Sequence, residues 1–331
     1  MAHLITPLAI RDLTLKNRLV MPPMATSKSA PNGKISQEIL DYYDEKSQGG
    51  YIGLVIIEHS FIAQSGKASI NQLSVSDDIL IEKLNELARI IHRNGSKTIM
   101  QINHAGSAGS YNITGYKPIG PSAVANPRMG GIPKELSREE ITELIGQFAA
   151  DALRVKKAGF DGVEIHSAHG YLLNQFFSPL TNKRTDEYGG DVPGRIRLHL
   201  EVIKAVRNAV GDSFPIFLRL GASDYREGGT TIEHSKIAAR EFERAGVDVL
   251  DVSGGFCGYV VPDLTGQGYF SPLAAALKEV ISIPVVLTGG IIDVQAAEQL
   301  LAEGKADLIG VGRAIYKDSG WAKRAIESLL I

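Results

Sequence analysis

The stretch "VEIHSAHGYLLNQF" sets two histidines three residues apart and a tyrosine two residues further on: His166, His169 and Tyr171. They follow the apolar, strand-like residues 163–165, so three polar groups crowd the mouth of a buried element. Three chemistries suit such a group. A zinc site needs at least a third ligand, which His59 or His104 could supply, although nothing in the spacing requires it. A pair of hydrogen-bonded structural histidines is the second reading. In the third, two imidazole N–H groups converge on one substrate oxygen and stabilise the charge that develops there. Tyr171, with an ordinary pKa of about 10, then suits a general acid that delivers a proton to carbon after hydride has arrived.

Other chemistry-bearing residues also stand at the ends of apolar runs. Arg219 lies in "PIFLRL", and a guanidinium in an apolar strand needs an acceptor. That acceptor is either an internal partner such as Glu164 or negative charge on a cofactor. Gln101, ending "TIMQ", offers an amide donor beside an acceptor, which matches a heterocycle edge carrying C=O next to N–H. "LTGGI" and "GVGRA" place Gly289, Gly290, Gly312 and Arg313 at two further run ends. Glycines there let backbone N–H groups approach an anion, and Arg313 adds a charge-assisted contact, so a phosphate cradle is expected.

Residues so placed need a repeating frame. Eight apolar runs, from "RLVMPP" to "ADLIGVGRA", alternate with amphipathic segments that include 79–94, 137–157, 192–210, 232–245 and 294–303. Most runs are rich in Val, Ile and Leu without strict alternation, as expected of parallel strands buried on both faces. Ser137 with Glu140 reads as a capping box, and "KKAG" as a glycine-terminated helix. The pattern predicts an α/β chain folded as one (β/α)8 TIM barrel over residues 1–331, with a doubly wound sheet as the alternative. In such a barrel the run ends form the catalytic face, and the last two loops are the usual phosphate site. Residues 105–133, rich in Gly, Pro and Ser, break the rhythm after the third run and are expected to form an active-site loop or lid.

The composition narrows the functional classes. A 44% apolar and 22% charged chain of 331 residues is ordinary for a globular protein. A net charge of −2 gives no reason to expect nucleic acid or an anionic membrane as partner. The single cysteine, Cys257, excludes an intramolecular disulfide and a cysteine-held iron–sulfur cluster within this chain. With no signal-peptide pattern and no apolar run long enough to span a bilayer, a cytoplasmic protein is expected.

With these motifs in place, the chain resembles the old yellow enzymes, in their bacterial NAD(P)H:flavin oxidoreductase and ene-reductase branch. The likeness runs from "LKNRLVMPPM" through "IQINHAG", "GFDGVEIHSAHGYLLNQFFSPLTNKRTDEYGG" and "LRLGASDY" to "ADLIGVGRA". It implies FMN as cofactor and NADPH or NADH as reductant. It also implies Pro23, Met24 and Ala25 against the flavin around N5, Gln101 at its pyrimidine edge and Arg219 near N1 and O2. Gly290, Gly312 and Arg313 would hold the phosphate. His166 and His169 would bind the substrate's activating oxygen, and Tyr171 would donate the proton. The implied reaction reduces the C=C bond of an activated alkene, an α,β-unsaturated carbonyl or nitro compound, with hydride from flavin N5. A quinone, oxygen or nitro-compound acceptor is the alternative, as is a low-turnover flavin-binding redox protein. The partners implied are small molecules, and a homo-oligomer stays open.

Some positions depart from the family pattern. Ala25 stands where relatives carry Cys or Thr, and His59 where a small residue is common. Together they are expected to reset the flavin potential, with His59 near the flavin O4 edge. Ser27 stands where a substrate-binding Tyr is frequent, and Arg184 with Asp186 in "RTDEYGG" is expected to pair internally. Tyr111, Tyr116, Arg128, Phe256 and Tyr259 are candidate substrate or nicotinamide contacts.

Overall fold

A computed structural model describes residues 2–261 and 263–330. An antiparallel hairpin, β1 (Leu8–Ile10) and β2 (Leu13–Leu15), opens the chain. Next come β3 (Leu19–Met21), β4 (Leu54–Phe61) and β5 (Lys97–Asn103), then a short parallel pair, β6 (Ile119–Gly120) and β7 (Lys134–Glu135). The remaining strands are β8 (Val163–Ser167), β9 (Ile216–Gly221), β10 (Val249–Ser253), β11 (Val285–Thr288) and β12 (Leu308–Gly310). Strands β3, β4, β5 and β8 to β12 pair in parallel with their neighbours, and β12 returns to β3 to close an eight-stranded barrel. The doubly wound alternative is thereby excluded. These strands coincide with the eight apolar runs.

Helices Gln37–Ser47, Ile81–Arg93, Arg138–Lys157, Val192–Val210, Ile232–Ala245, Ser271–Lys278 and Val294–Ala302 fill the successive crossovers. The capping box is present: Ser137 accepts from Glu140 N while the Glu140 carboxylate accepts from Ser137 N. None of the described helices is long and apolar enough to cross a membrane.

The lumen changes character along the barrel axis. Near the strand starts it is packed with Val20, Leu54, Ile56, Ile99, Phe217, Val249, Val286 and Leu308, in one apolar cluster with Ile10, Leu13 and Leu15 of the hairpin. The hairpin thus plugs the bottom. Side chains alternate in and out along a strand, so the next inward residue lies two positions on. There Ile99 gives way to Gln101, Phe217 to Arg219, Val249 to Asp251 and Val286 to Thr288. One pleat separates a dry core from a polar layer.

Strand β4 breaks its own alternation. Its register against β5 shifts between Ile57 and Ser60, the signature of a β-bulge. Glu58, which the alternation would turn inward, instead accepts from the Thr26 backbone N at 2.6 Å and from its hydroxyl at 2.8 Å. Burial holds the Glu58 pKa up to about 7, although the Thr26 bonds pull it down. His59 takes the inward place. Thr26 is therefore committed to Glu58, while Ala25 faces the cavity.

Residues 105–133 carry some local structure: the short helix Tyr111–Thr114 and β6, which pairs with β7 just beyond. Tyr111 and Tyr116 point to solvent. The segment touches the site through Arg128, held on a turn in which the buried Asn126 side chain accepts from Arg128 N and donates to Ser107 Oγ.

Candidate active site

The strand ends enclose a cavity of about 460 Å³, within the range of small-molecule and cofactor pockets, about 300–1,000 Å³. Pro23, Met24, Ala25, His59, Gln101, His166, His169, Tyr171, Arg219, Gly290, Gly312 and Arg313 all line it. Every residue singled out from the sequence as catalytic or cofactor-binding therefore meets in one place. Ser253 and Tyr259 join them, whereas Phe256 is buried behind the wall.

The backbone after β8 explains how His166 and His169 meet. His169 (φ 61°) and Gly170 (φ 77°) both adopt the left-handed conformation, which reverses the chain. That conformation costs a non-glycine residue about 1–3 kcal/mol, so the surroundings must enforce it. They do: His169 N donates to Gly254 O at 3.2 Å, Arg128 Nη1 donates to His169 O at 2.8 Å, and Gly170 N donates to Asn174 Oδ1 at 2.7 Å. The His166 and His169 rings then stand edge to face with centroids 5.0 Å apart, and Tyr171 lies 5.2 Å from His166.

Burial pushes both histidine pKa values well below the usual 6.5, with neighbouring His169 acting further on His166 and the Arg219 charge on His169. Both rings are neutral near pH 7, so each carries one N–H. His169 Nε2 lies 2.7 Å from Ser253 Oγ. A Ser253 hydroxyl donating there places the ring hydrogen on Nδ1. His166 Nδ1 is buried without a partner. Burial also raises the Tyr171 pKa against the opposing pull of Arg128, so its hydroxyl keeps its proton through neutral pH.

His59 stacks on Tyr171, centroids 5.3 Å apart and planes 26° from parallel. Its Nδ1 is 3.0 Å from Gln72 Nε2 and 3.2 Å from Asn103 Nδ2. Two amide donors on Nδ1 leave the hydrogen on Nε2, and burial with the Arg219 charge holds the pKa down to about 4. His59 is thus a neutral ring with a fixed tautomer. The sequence expectation for it gives a direct check: Ala25→Cys combined with His59→Ala should shift the flavin midpoint potential measured by dye equilibration, and an unchanged potential would contradict it.

The donor set fits a flavin phosphate ester. Arg219 Nε and Nη1 are buried and make no hydrogen bond, although Nη1 lies 3.4 Å from Asp251 Oδ2. Its carboxylate neighbour is Asp251, whereas Glu164 accepts from Gln101 Nε2 at 2.5 Å. Gly290 sits at φ 67°, and a Cβ there would stand 2.8 Å from the Tyr269 ring, so the backbone is left bare beside Arg313. Gly290→Ala should therefore cost about 1–3 kcal/mol in the cradle and weaken FMN binding by about tenfold, read by fluorescence titration of the apoprotein. The sequence reading missed Tyr269, Tyr316 and Lys317 in the wall. Lys317 stands four residues after Arg313, one turn of the helix Arg313–Lys317, and that spacing was a usable signal. Arg184 and Asp186 pair as expected, through contacts of 2.9 and 2.6 Å.

Comparison with known proteins agrees with the fold. Residues 3–330 match the model of the NADH:flavin oxidoreductase / NADH oxidase family. The chain is 42% identical to an NADH oxidase of Thermoanaerobacter brockii over 96% of its own length and 50% of that protein, so it spans about half of this relative. It is 38% identical to an NADPH dehydrogenase of Clostridium acetobutylicum over 93% of its length and 90% of the relative. The structure of an old yellow enzyme homologue from Zymomonas mobilis superposes with a TM-score of 0.86 at 28% identity, covering 98% of this chain and 92% of that one. The chain belongs to the NADH:flavin oxidoreductase / NADH oxidase family, that of the old yellow enzymes.

Proposed function

We propose that the chain is an FMN-dependent ene-reductase, acting on the C=C bond of α,β-unsaturated carbonyl or nitro compounds at the expense of NADPH or NADH. The observation that carries the proposal is the group of two neutral imidazoles 5.0 Å apart with Tyr171 5.2 Å from the first. Gln101 and Arg219 would hold the flavin ring, and Gly290, Gly312 and Arg313 its phosphate. When bound, FMN supplies hydride at its N5. His166 and His169 donate to the substrate's carbonyl or nitro oxygen and draw electron density toward it, which leaves the β-carbon electron-poor. Neutral imidazoles suit this task, because they bind the oxygen without protonating it. Tyr171 then delivers its phenolic proton to the α-carbon and regains one from solvent. The alkene gains one hydride and one proton.

Anaerobic steady-state assays separate this reading from an NADH oxidase or quinone reductase role. With cyclohexenone or a nitroalkene as acceptor, kcat/KM should exceed that for a quinone. Turnover confined to quinone or oxygen would refute it.

A further inference from the structure

The cavity floor is one layer of inward side chains from four neighbouring strands. Gln101 on β5 stands opposite Glu164 on β8, and Arg219 on β9 stands opposite Asp251 on β10. Glu164 and Asp251 are both fully buried. Gln101 donates to Glu164 Oε2, Arg219 faces Asp251, and the two carboxyl groups lie within hydrogen-bonding reach of each other. Were both ionised, two negative charges would share one guanidinium in a layer cut off from water, which is strongly unfavourable. Glu164 Oε1 and both Asp251 oxygens would also lack a donor, and the structure leaves all three unpaired. One proton placed between the carboxyls removes the excess charge and supplies the missing hydrogen bond.

We propose that Glu164 and Asp251 share a single proton and act as positioning residues that present Gln101 and Arg219 to the flavin. Of these four residues, Gln101 and Arg219 then contact the cofactor, and the two carboxyl groups act through them. Protonated Glu164 keeps one oxygen as acceptor for Gln101 and turns its O–H toward Asp251. Gln101 is thereby oriented with its carbonyl and its second N–H free for the ring edge. Asp251 remains a carboxylate beside Arg219 Nη1, which leaves Arg219 Nε without a protein partner.

The electrostatics agree. Burial raises Glu164 well above the ordinary carboxyl range, with the Asp251 charge adding to it and Arg219 and Gln101 opposing. Burial lifts Asp251 to about 6, restrained by Arg219. His59 on the adjoining β4 and His166 further along β8 are held neutral, and the inward residues of β11 and β12, Thr288 and Gly310, carry no charge. Nothing else in the layer neutralises a second carboxylate.

This inference rests on the flavin reading of the cavity, but part of its test does not. Infrared difference spectra of the apoprotein, Glu164→Gln against wild type near neutral pH, should show a protonated-carboxyl stretch that the substitution removes. Absence of that band in wild type would overturn the shared proton, whatever the cavity binds. FMN titration supplies the second readout. Glu164→Gln mimics the neutral acid and should bind FMN within about threefold of wild type, whereas Glu164→Leu, lacking donor and acceptor, should lose about tenfold or more. Equal losses in both variants would overturn the positioning role. Should Glu164→Leu fail to fold, the infrared band and the Glu164→Gln titration still decide. Failure of wild-type apoprotein to take up FMN would instead count against the flavin reading.

Discussion

Replacing His166 and His169 together by alanine should slow alkene reduction by about 10³-fold, because removal of even one oxyanion-stabilising donor costs about 10²–10³ in rate. The losses should not simply multiply. The rings touch at 5.0 Å and address one substrate oxygen, so the first deletion already misplaces that oxygen for the second. The loss should fall mainly on kcat for substrates whose negative charge builds at the bound oxygen, and less on KM, since the donors matter most where the charge develops. The pH profile carries a further signature. Both histidines are held well below 6.5, so the wild-type alkene half-reaction should stay flat as pH falls toward 6 and decline only when the rings protonate. A single-step decline centred at 6.5 would show that the rings are not buried as described. Stopped-flow rates of flavin reoxidation by cyclohexenone, in wild type and the double variant, provide the measurement.

Tyr171→Phe should lower the same half-reaction by about 10²–10⁴-fold, the usual worth of a positioned general acid. The substitution removes one oxygen and keeps the ring that stacks on His59, so the wall of the cavity survives. Reduction of the flavin by nicotinamide places no proton on carbon, and it should be largely preserved. That asymmetry between half-reactions separates loss of a proton donor from general damage to the site. The Tyr171 pKa is raised by burial, so the protonated form persists through pH 7 and the wild-type rate should fall only above the ordinary value near 10. The Phe variant should lack this alkaline limb, since it has no group to ionise there. Equal losses in both half-reactions would assign Tyr171 to binding and not to proton transfer.

Much of the architecture was legible because strand ends and chemistry coincide in the sequence. The apolar runs that became β4, β5 and β8 to β12 each stop where a polar or glycine residue begins, that of β3 stops at Pro22 and Pro23, and the inward pleat converts that boundary into a cavity floor. The helices Val192–Val210 and Ile232–Ala245 were legible from apolar spacing, and Arg138–Lys157 from its cap residues as well. Where tertiary geometry decides, the residue pattern alone was not enough. In "IIEHSF" alternation alone would turn Glu58 inward; the family resemblance pointed to His59, and the register shift against β5 supplies the physical reason. Glu164 was the internal partner the sequence suggested for Arg219, and the direct registration of β9 with β10 places Asp251 beside it instead. Tyr269 enters the wall from a loop that has no period to read. The hairpin plug escaped notice because its two strands have three residues each, too short for alternation to stand out.

The most direct test of the account is the absorbance of the purified, FMN-loaded protein followed under strict anaerobiosis. Addition of NADPH or NADH should bleach the oxidised flavin band, and cyclohexenone added next should restore it with formation of cyclohexanone. A flavin that bleaches but stays reduced with enone and nitroalkene alike, recovering only with quinone or oxygen, would contradict the assignment of His166, His169 and Tyr171 to alkene reduction.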